Sequence, residues 1–248
     1  MRRWLLALLL LPALTHAAEL DEARKFILEG RPRQFFLFAP DKTCEPGAKP
    51  APVVLLHHGT GGTGREMVGA WRKLARQERI ILIAPTGTGP YGWIPPQDGP
   101  ELQRSIVEQV AQECAVDRRR LYAVGFSNGG DHAFYVAISE SQYFAAAGVL
   151  CASLRPRQFA MLDLAPRKIP VFYMVAEDDT AYPMREAVAT RRALNERGWP
   201  LQYEQISGPH HYDEAFTERA WKFLKQQRLE REPVFVPLTE QWLRHALR

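Results

Sequence analysis

Leu121-Tyr122-Ala123-Val124-Gly125-Phe126-Ser127-Asn128-Gly129-Gly130 is the stretch whose reading decides the fold. An apolar run, Leu121 to Val124, enters a G-x-S-x-G turn. A helix-compatible run, Asp131 to Glu140, leaves it. A serine at the tip of so tight a strand-to-helix turn sits in a strained backbone conformation. The glycines two positions either side remove Cβ atoms that would otherwise collide there. The free N–H groups and positive dipole end of the following helix favour a developing oxyanion. The five-residue pattern alone is common; the strand before it, the helix after it and the second glycine set this instance apart.

Working outward, alternating strand and helix patterns fill the chain after residue 50. Val53-Val54-Leu55-Leu56-His57 is continuously apolar, as in a strand covered on both faces. Further strands are expected at Ile80–Pro85, Ala145–Leu150, Val171–Val175 and Leu201–Ile206, with helices at Arg65–Gln77, Glu101–Cys114, Pro183–Arg197 and Glu214–Gln226. Gln34–Ala39 reads as an early edge strand, residues 18–33 as a short mixed segment before it, and Pro40–Pro52 as loop. The alternation predicts an α/β fold, a mostly parallel central sheet with helices on both faces. This is the α/β-hydrolase architecture, with the Ser127 turn as its nucleophile elbow.

The two ends read differently. Arg2-Arg3, the apolar run Trp4–Leu14 and Thr15-His16-Ala17 have the pattern of a secretory signal peptide over residues 1–17, cut after Ala17. The hydrolase domain is expected over 18–228, with 229–248 a tail that packs back on it and contains a possible helix, Thr239 to Leu247. Loss of the leader takes the formal charge of a 248-residue chain from +4 to +2. So weak a positive balance argues against nucleic acid as a partner. The run Asp117-Arg118-Arg119-Arg120 reads as a solvated loop before the elbow strand. After signal cleavage no segment is expected in a membrane. Cys44, Cys114 and Cys151 allow one disulfide in an exported, periplasmic or extracellular protein, with the pairing open. None has the spacing of a zinc or redox motif.

The glycine-rich stretch His58-Gly59-Thr60-Gly61-Gly62-Thr63-Gly64 follows a buried strand and opens a helix. It lacks the G-K-[ST] ending of a phosphate loop. With a nucleophile elbow downstream, it is read as the loop that lends a backbone N–H to an oxyanion hole. The expected donors are the amides of Thr60 or Gly61, together with that of Asn128. His58 is read as ordering this loop. Trp93, in the Gly/Pro-rich loop 86–100, is a candidate substrate-binding ring, with plain packing as the equal alternative.

An activated serine needs a base, and the base needs an acid to hold its tautomer. In this fold the chain order is Ser, Asp or Glu, then His, each at the carboxyl end of a strand. Val171–Val175 delivers Glu177, Asp178 and Asp179. Leu201–Ile206 delivers His210 and His211. These residue types leave open which acid and which imidazole serve. His57 and His58 precede the serine and are neighbours on a strand, so neither base nor metal site is read there.

Together these motifs resemble the secreted polyhydroxybutyrate depolymerase-like and feruloyl-esterase-like α/β-hydrolases, with the dienelactone hydrolases as close relatives. The similarity runs over about residues 33–227 and is most specific at the elbow and its strand. It implies Asp179 as the acid, by likeness of Val175–Pro183 to an H-G-x-x-D-x-x-V-P segment. It favours His210 over His211, by likeness of Gly208–Tyr212 to G-x-H-x-[WY]. The expectation is a serine esterase with Ser127, Asp179 and His210 as its triad. It would act on a small-molecule or polymeric ester, with no metal or organic cofactor. A serine peptidase on the same fold and a non-catalytic binding protein are the rivals. Oligomeric state is not legible.

Overall fold

The computed structural model describes residues 19–95 and 97–233. The signal-peptide reading of 1–17 and the tail beyond 233 lie outside the described residues.

Eight strands form one sheet: β1 (Leu20–Leu28), β2 (Arg31–Ala39), β3 (Ala51–His57), β4 (Ile81–Pro85), β5 (Val116–Phe126), β6 (Ala146–Leu150), β7 (Val171–Ala176) and β8 (Leu201–Ile206). Their order is β1-β2-β4-β3-β5-β6-β7-β8. The β1/β2 and β2/β4 pairs are antiparallel, and the six strands from β4 to β8 are parallel. Among the described residues, six α-helices accompany them: α1 (Gly64–Glu78), α2 (Pro100–Ala111), α3 (Asn128–Ser139), α4 (Phe159–Leu164), α5 (Met184–Glu196) and α6 (Glu214–Leu224), the last after β8.

The strand period of two divides the apolar residues between two cores. Val53, Leu55, Leu121, Ala123, Val171 and Tyr173 face a layer built from α2, α3, α4 and α5. Val54, Leu56, Tyr122, Val124, Phe172 and Met174 face α1 and α6. Each central strand is therefore apolar throughout, because both of its faces are covered. The carboxyl ends of the six parallel strands share one edge, and there the functional loops gather.

Three expectations need correction. Residues 20–28 are a full strand, paired with β2 through a hairpin turn at Glu29 (φ 50°) and Gly30 (φ 75°). β1 is an edge strand, half-buried on one face only, and a Glu-Gly turn is a weaker hairpin signal than Asn-Gly. β3 begins at Ala51, inside the stretch read as loop; a register shift between Ala51 and Val53 accommodates Pro52. β5 begins at Val116, so Asp117 to Arg120 are strand rather than solvated loop. Buried Asp117 accepts from Arg120 Nε at 2.8 Å and pairs with Arg228 at 3.2 Å, and Arg118 pairs with Glu108. These pairs let a charged run enter a sheet.

A disulfide joins Cys44 to Cys114, tying the loop before β3 to the turn between α2 and β5, and leaves Cys151 as a buried thiol. The described start of the tail lies on the domain: Leu229 donates to the Arg119 carbonyl at 2.9 Å and is buried.

Candidate active site

Ser127 ends β5 and caps α3 with φ 57° and ψ −130°, a strained conformation for a residue with a Cβ. The turn survives because its neighbours are glycines. A Cβ on Gly125 would lie 2.0 Å from the Gly129 carbonyl oxygen, and one on Gly129 would lie 2.1 Å from that of His57. The Ser127 N–H donates to Leu150 at 2.9 Å, and its carbonyl accepts from Gly130 at 2.7 Å. The serine is thus held from β6 on one side and from its own helix on the other.

His210 Nε2 lies 2.9 Å from Ser127 Oγ, and His210 Nδ1 lies 2.7 Å from Asp179 Oδ2. A carboxylate only accepts, so Nδ1 donates to Asp179, and Nε2 accepts from the serine hydroxyl. The second oxygen of Asp179 accepts from the amides of Ala181 (2.9 Å) and Tyr182 (2.7 Å). The His210 ring packs near-parallel to Phe126 and Tyr182. Of the three successive acids, Glu177 and Asp178 are exposed and Asp179 is buried. Of the two histidines, His211 turns away: its Nδ1 lies 2.6 Å from the Pro209 carbonyl, and its Nε2 lies 3.7 Å from Asp213. The folded chain thereby separates side chains that residue types alone left open.

The glycine loop lies against the serine, since a Cβ on Gly59 would come within 3.3 Å of Ser127 Cβ. Thr60 and Gly61 follow it and are exposed, and Asn128 opens α3. His58 ties this loop to the next one. Its Nδ1 donates to Gly59 at 2.8 Å, and its Nε2 accepts from the Gly87 N–H at 3.0 Å. Trp93 is placed behind this arrangement rather than as an open wall. It is 9% exposed, its indole N–H donates to the His58 carbonyl at 2.9 Å, and its ring stacks on His132 at 4.3 Å. The packing alternative describes it better than substrate binding.

Burial pushes His57 down to about 4 and His132 well below the ordinary imidazole range, and it lowers His58. These three imidazoles stay neutral and form an aromatic cluster with Trp93, which packs behind the glycine loop.

Sequence reasoning missed three supports. Asp98, fully buried, accepts from the amides of Thr88 (3.0 Å) and Ile94 (2.8 Å) and pairs with Arg33 at 3.3 Å, so it ties loop 86–99 to β2. Tyr182 donates its hydroxyl to Asp131 at 2.5 Å, while its amide holds Asp179. Asp131 also accepts from Ser153 N at 3.2 Å. The acid loop is thereby linked to the elbow helix. An aspartate in a Gly/Pro loop was a readable sign for Asp98; nothing local marks Asp131.

Burial raises the Asp131 carboxyl from 3.8 to about 6. A folded-state value above the unfolded one means that the native state binds the extra proton. Stability therefore falls as pH climbs between these two values, and the full penalty of about 3 kcal/mol is present above them. Asp131→Asn should raise Tm at pH 8, with the gain vanishing near pH 4. An amide can still accept from Ser153 and donate to the Tyr182 oxygen. Equal Tm differences at both pH values in a calorimetric scan would contradict this account of the buried charge.

A mostly parallel sheet, a serine elbow and an ordered Ser–His–Asp hydrogen-bond chain at its carboxyl edge define an α/β-hydrolase. The chain belongs to the dienelactone hydrolase family, whose sequence profile matches residues 99–230. It is 26% identical over 174 residues to NocK of Nocardia uniformis subsp. tsuyamanensis, which carries an esterase name; the match covers 65% of this chain and 49% of that protein. It is 27% identical over 155 residues to the bifunctional acetylxylan esterase/xylanase XynS20E of Neocallimastix patriciarum, covering 61% of this chain and 22% of that one. The chain thus spans half or less of the length of these relatives. In structure it is similar to the fluorophosphonate-binding serine hydrolase FphF of Staphylococcus aureus, with TM-score 0.68 and 14% identity over 84% of this chain and 98% of that one. At that identity the likeness speaks for the fold alone.

Proposed function

We propose that this protein hydrolyses carboxylic esters through an acyl-enzyme on Ser127. The supporting observation is the unbroken hydrogen-bond chain from Ser127 Oγ through His210 to Asp179, at 2.9 and 2.7 Å. In this reading His210 Nε2 takes the hydroxyl proton as Oγ attacks the ester carbonyl. Asp179 holds the productive tautomer and stabilises the imidazolium. The amides of Asn128 and of Thr60 or Gly61 receive the negative charge on the carbonyl oxygen. His210 then gives its proton to the leaving alcohol, and water repeats the sequence on the acyl-enzyme. No metal or organic cofactor has a step to perform.

A cleft of about 730 Å³ opens beside Tyr182, between residues 153–156 and 181–189. It is large enough for an acyl or alcohol portion of feruloyl size, and its open form also suits the end of a polymer chain. The acetylxylan esterase name of one relative adds small acyl esters to the candidates. Export is part of the proposal: the leader-like residues 1–17 and the Cys44–Cys114 disulfide both suit an oxidising compartment.

The test is a panel of p-nitrophenyl acetate, methyl ferulate, polyhydroxybutyrate and a peptide anilide, assayed on purified protein. At least one ester should be turned over with a kcat/KM above that of the anilide. Cleavage of the anilide alone, or of nothing, would reject the ester reading.

A further inference from the structure

Cys151 is a buried side chain to which the proposed chemistry gives no task. It follows β6 directly, in a left-handed backbone conformation (φ 48°), with its N–H bonded to Met174 of β7 at 2.9 Å. That placement brings its sulfur to the carboxyl end of β6, beside the acid and the base. The thiol sulfur, a carboxylate oxygen of Asp179 and a ring nitrogen of His210 all lie within 4.8 Å of one another. No other such trio of His, Cys, Asp or Glu groups occurs among the described residues. Two members are almost fully buried, and the side chain of His210 is 23% exposed, so the trio has one opening, on the imidazole side.

We propose that Cys151, Asp179 and His210 form a binding site for a thiophilic divalent cation of the zinc or cadmium kind, and that occupancy of this site switches the active site off. The donor set suits such an ion: one thiolate, one imidazole and one carboxylate are all accepted zinc ligands, with a fourth position left for water. Tetrahedral zinc sets its ligand atoms roughly 3.3–3.6 Å apart, so the trio must contract by about 1 Å, within reach of a partly exposed imidazole.

The proton balance explains the loss of turnover. The Cys151 S–H bond breaks and its proton leaves to solvent as the metal–sulfur bond forms. Asp179 exchanges its hydrogen bond from His210 for a bond to the ion. The nitrogen of His210 on the Asp179 side, Nδ1, gives up its proton to bind metal, and Nε2 carries one instead. With Nε2 protonated, His210 cannot accept from Ser127. No electron is transferred.

Cysteine count makes the test clean. The chain has three cysteines, and two are joined, so Cys151 is the sole thiol. Cadmium titrated into the disulfide-intact protein should produce the ultraviolet cadmium–thiolate absorption at one ion per chain. Ser127→Ala should retain this band, whereas His210→Ala should weaken binding by roughly tenfold or more. Absence of the band in the wild-type protein, or undiminished affinity in His210→Ala, would overturn the site. This arm needs no ester substrate, so it stands apart from the proposed function on which the inhibition arm rests. In that second arm, zinc should suppress ester turnover and a chelator should restore it. Cys151→Ala and Cys151→Ser, each compared with its own metal-free rate, should need at least roughly tenfold more zinc for the same suppression. Equal zinc sensitivity in a folded Cys151 variant would refute the switch.

Discussion

Ser127→Ala should lower kcat for ester cleavage by on the order of 10⁴ or more, while leaving the fold and KM close to those of the parent. Alanine keeps the Cβ that the turn already accommodates at φ 57° and removes only the oxygen that His210 addresses. His210→Ala should cost about as much, because an unactivated hydroxyl is a poor nucleophile. Combining the two should cost little more than either alone, since the groups act as a unit. His211→Ala is the control: its ring bonds to Pro209 and faces Asp213, so turnover should stay within a few-fold of the parent. A large loss from His211→Ala with a mild one from His210→Ala would reverse the assignment. Stopped-flow or steady-state assays on the three variants read this directly.

Gly129→Ala should have the largest effect on folding. The added methyl would sit 2.1 Å from the His57 carbonyl oxygen and 2.4 Å from that of His58. Both obstacles are backbone, anchored in and just beyond β3 at the centre of the sheet, and cannot rotate aside. Either the elbow helix moves off the sheet or β3 shifts, and each route breaks the packing that holds Ser127. A loss on the order of 4 kcal/mol or more follows, above the roughly 1–3 kcal/mol usual for overpacking because the obstacle is backbone rather than a side chain that can turn. Gly125→Ala should behave alike, with the Gly129 carbonyl oxygen 2.0 Å away. Gly69, on the exposed side of α1, has nothing within 4 Å of its added Cβ, and Gly69→Ala should stabilise by about 0.5–1 kcal/mol. Urea unfolding of the three variants separates steric collision from a general glycine effect. Near-parental stability of Gly129→Ala would contradict the close approach described at the elbow.

Much of this fold was legible because its signals are local. The elbow announces itself in Gly125, Ser127, Gly129 and the strand before them. Chain order and strand ends narrowed the acid to Glu177, Asp178 or Asp179 and the base to His210 or His211, and only the family resemblance favoured Asp179 and His210. The remainder depends on contacts between distant segments. His210 is separated from His211 only by which ring meets Ser127, 83 residues away in sequence. Asp131 and Tyr182 are 51 residues apart, and neither carries a mark of the bond between them. Trp93 could equally have faced a ligand or the interior; three buried imidazoles decide for the interior. The strand Leu20–Leu28 escaped because an edge strand buries too little to show a clean alternation, and Asp117–Arg120 misled because paired charges can occupy a strand that unpaired ones would avoid.

The most direct test of the account is the reaction of the protein with a fluorophosphonate, followed by peptide mass mapping. Only a serine activated by its neighbours is phosphonylated at a useful rate. One adduct per chain is expected, at Ser127, absent in Ser127→Ala and strongly slowed in His210→Ala. An unreacted Ser127, or labelling that proceeds at the same rate without His210, would contradict it.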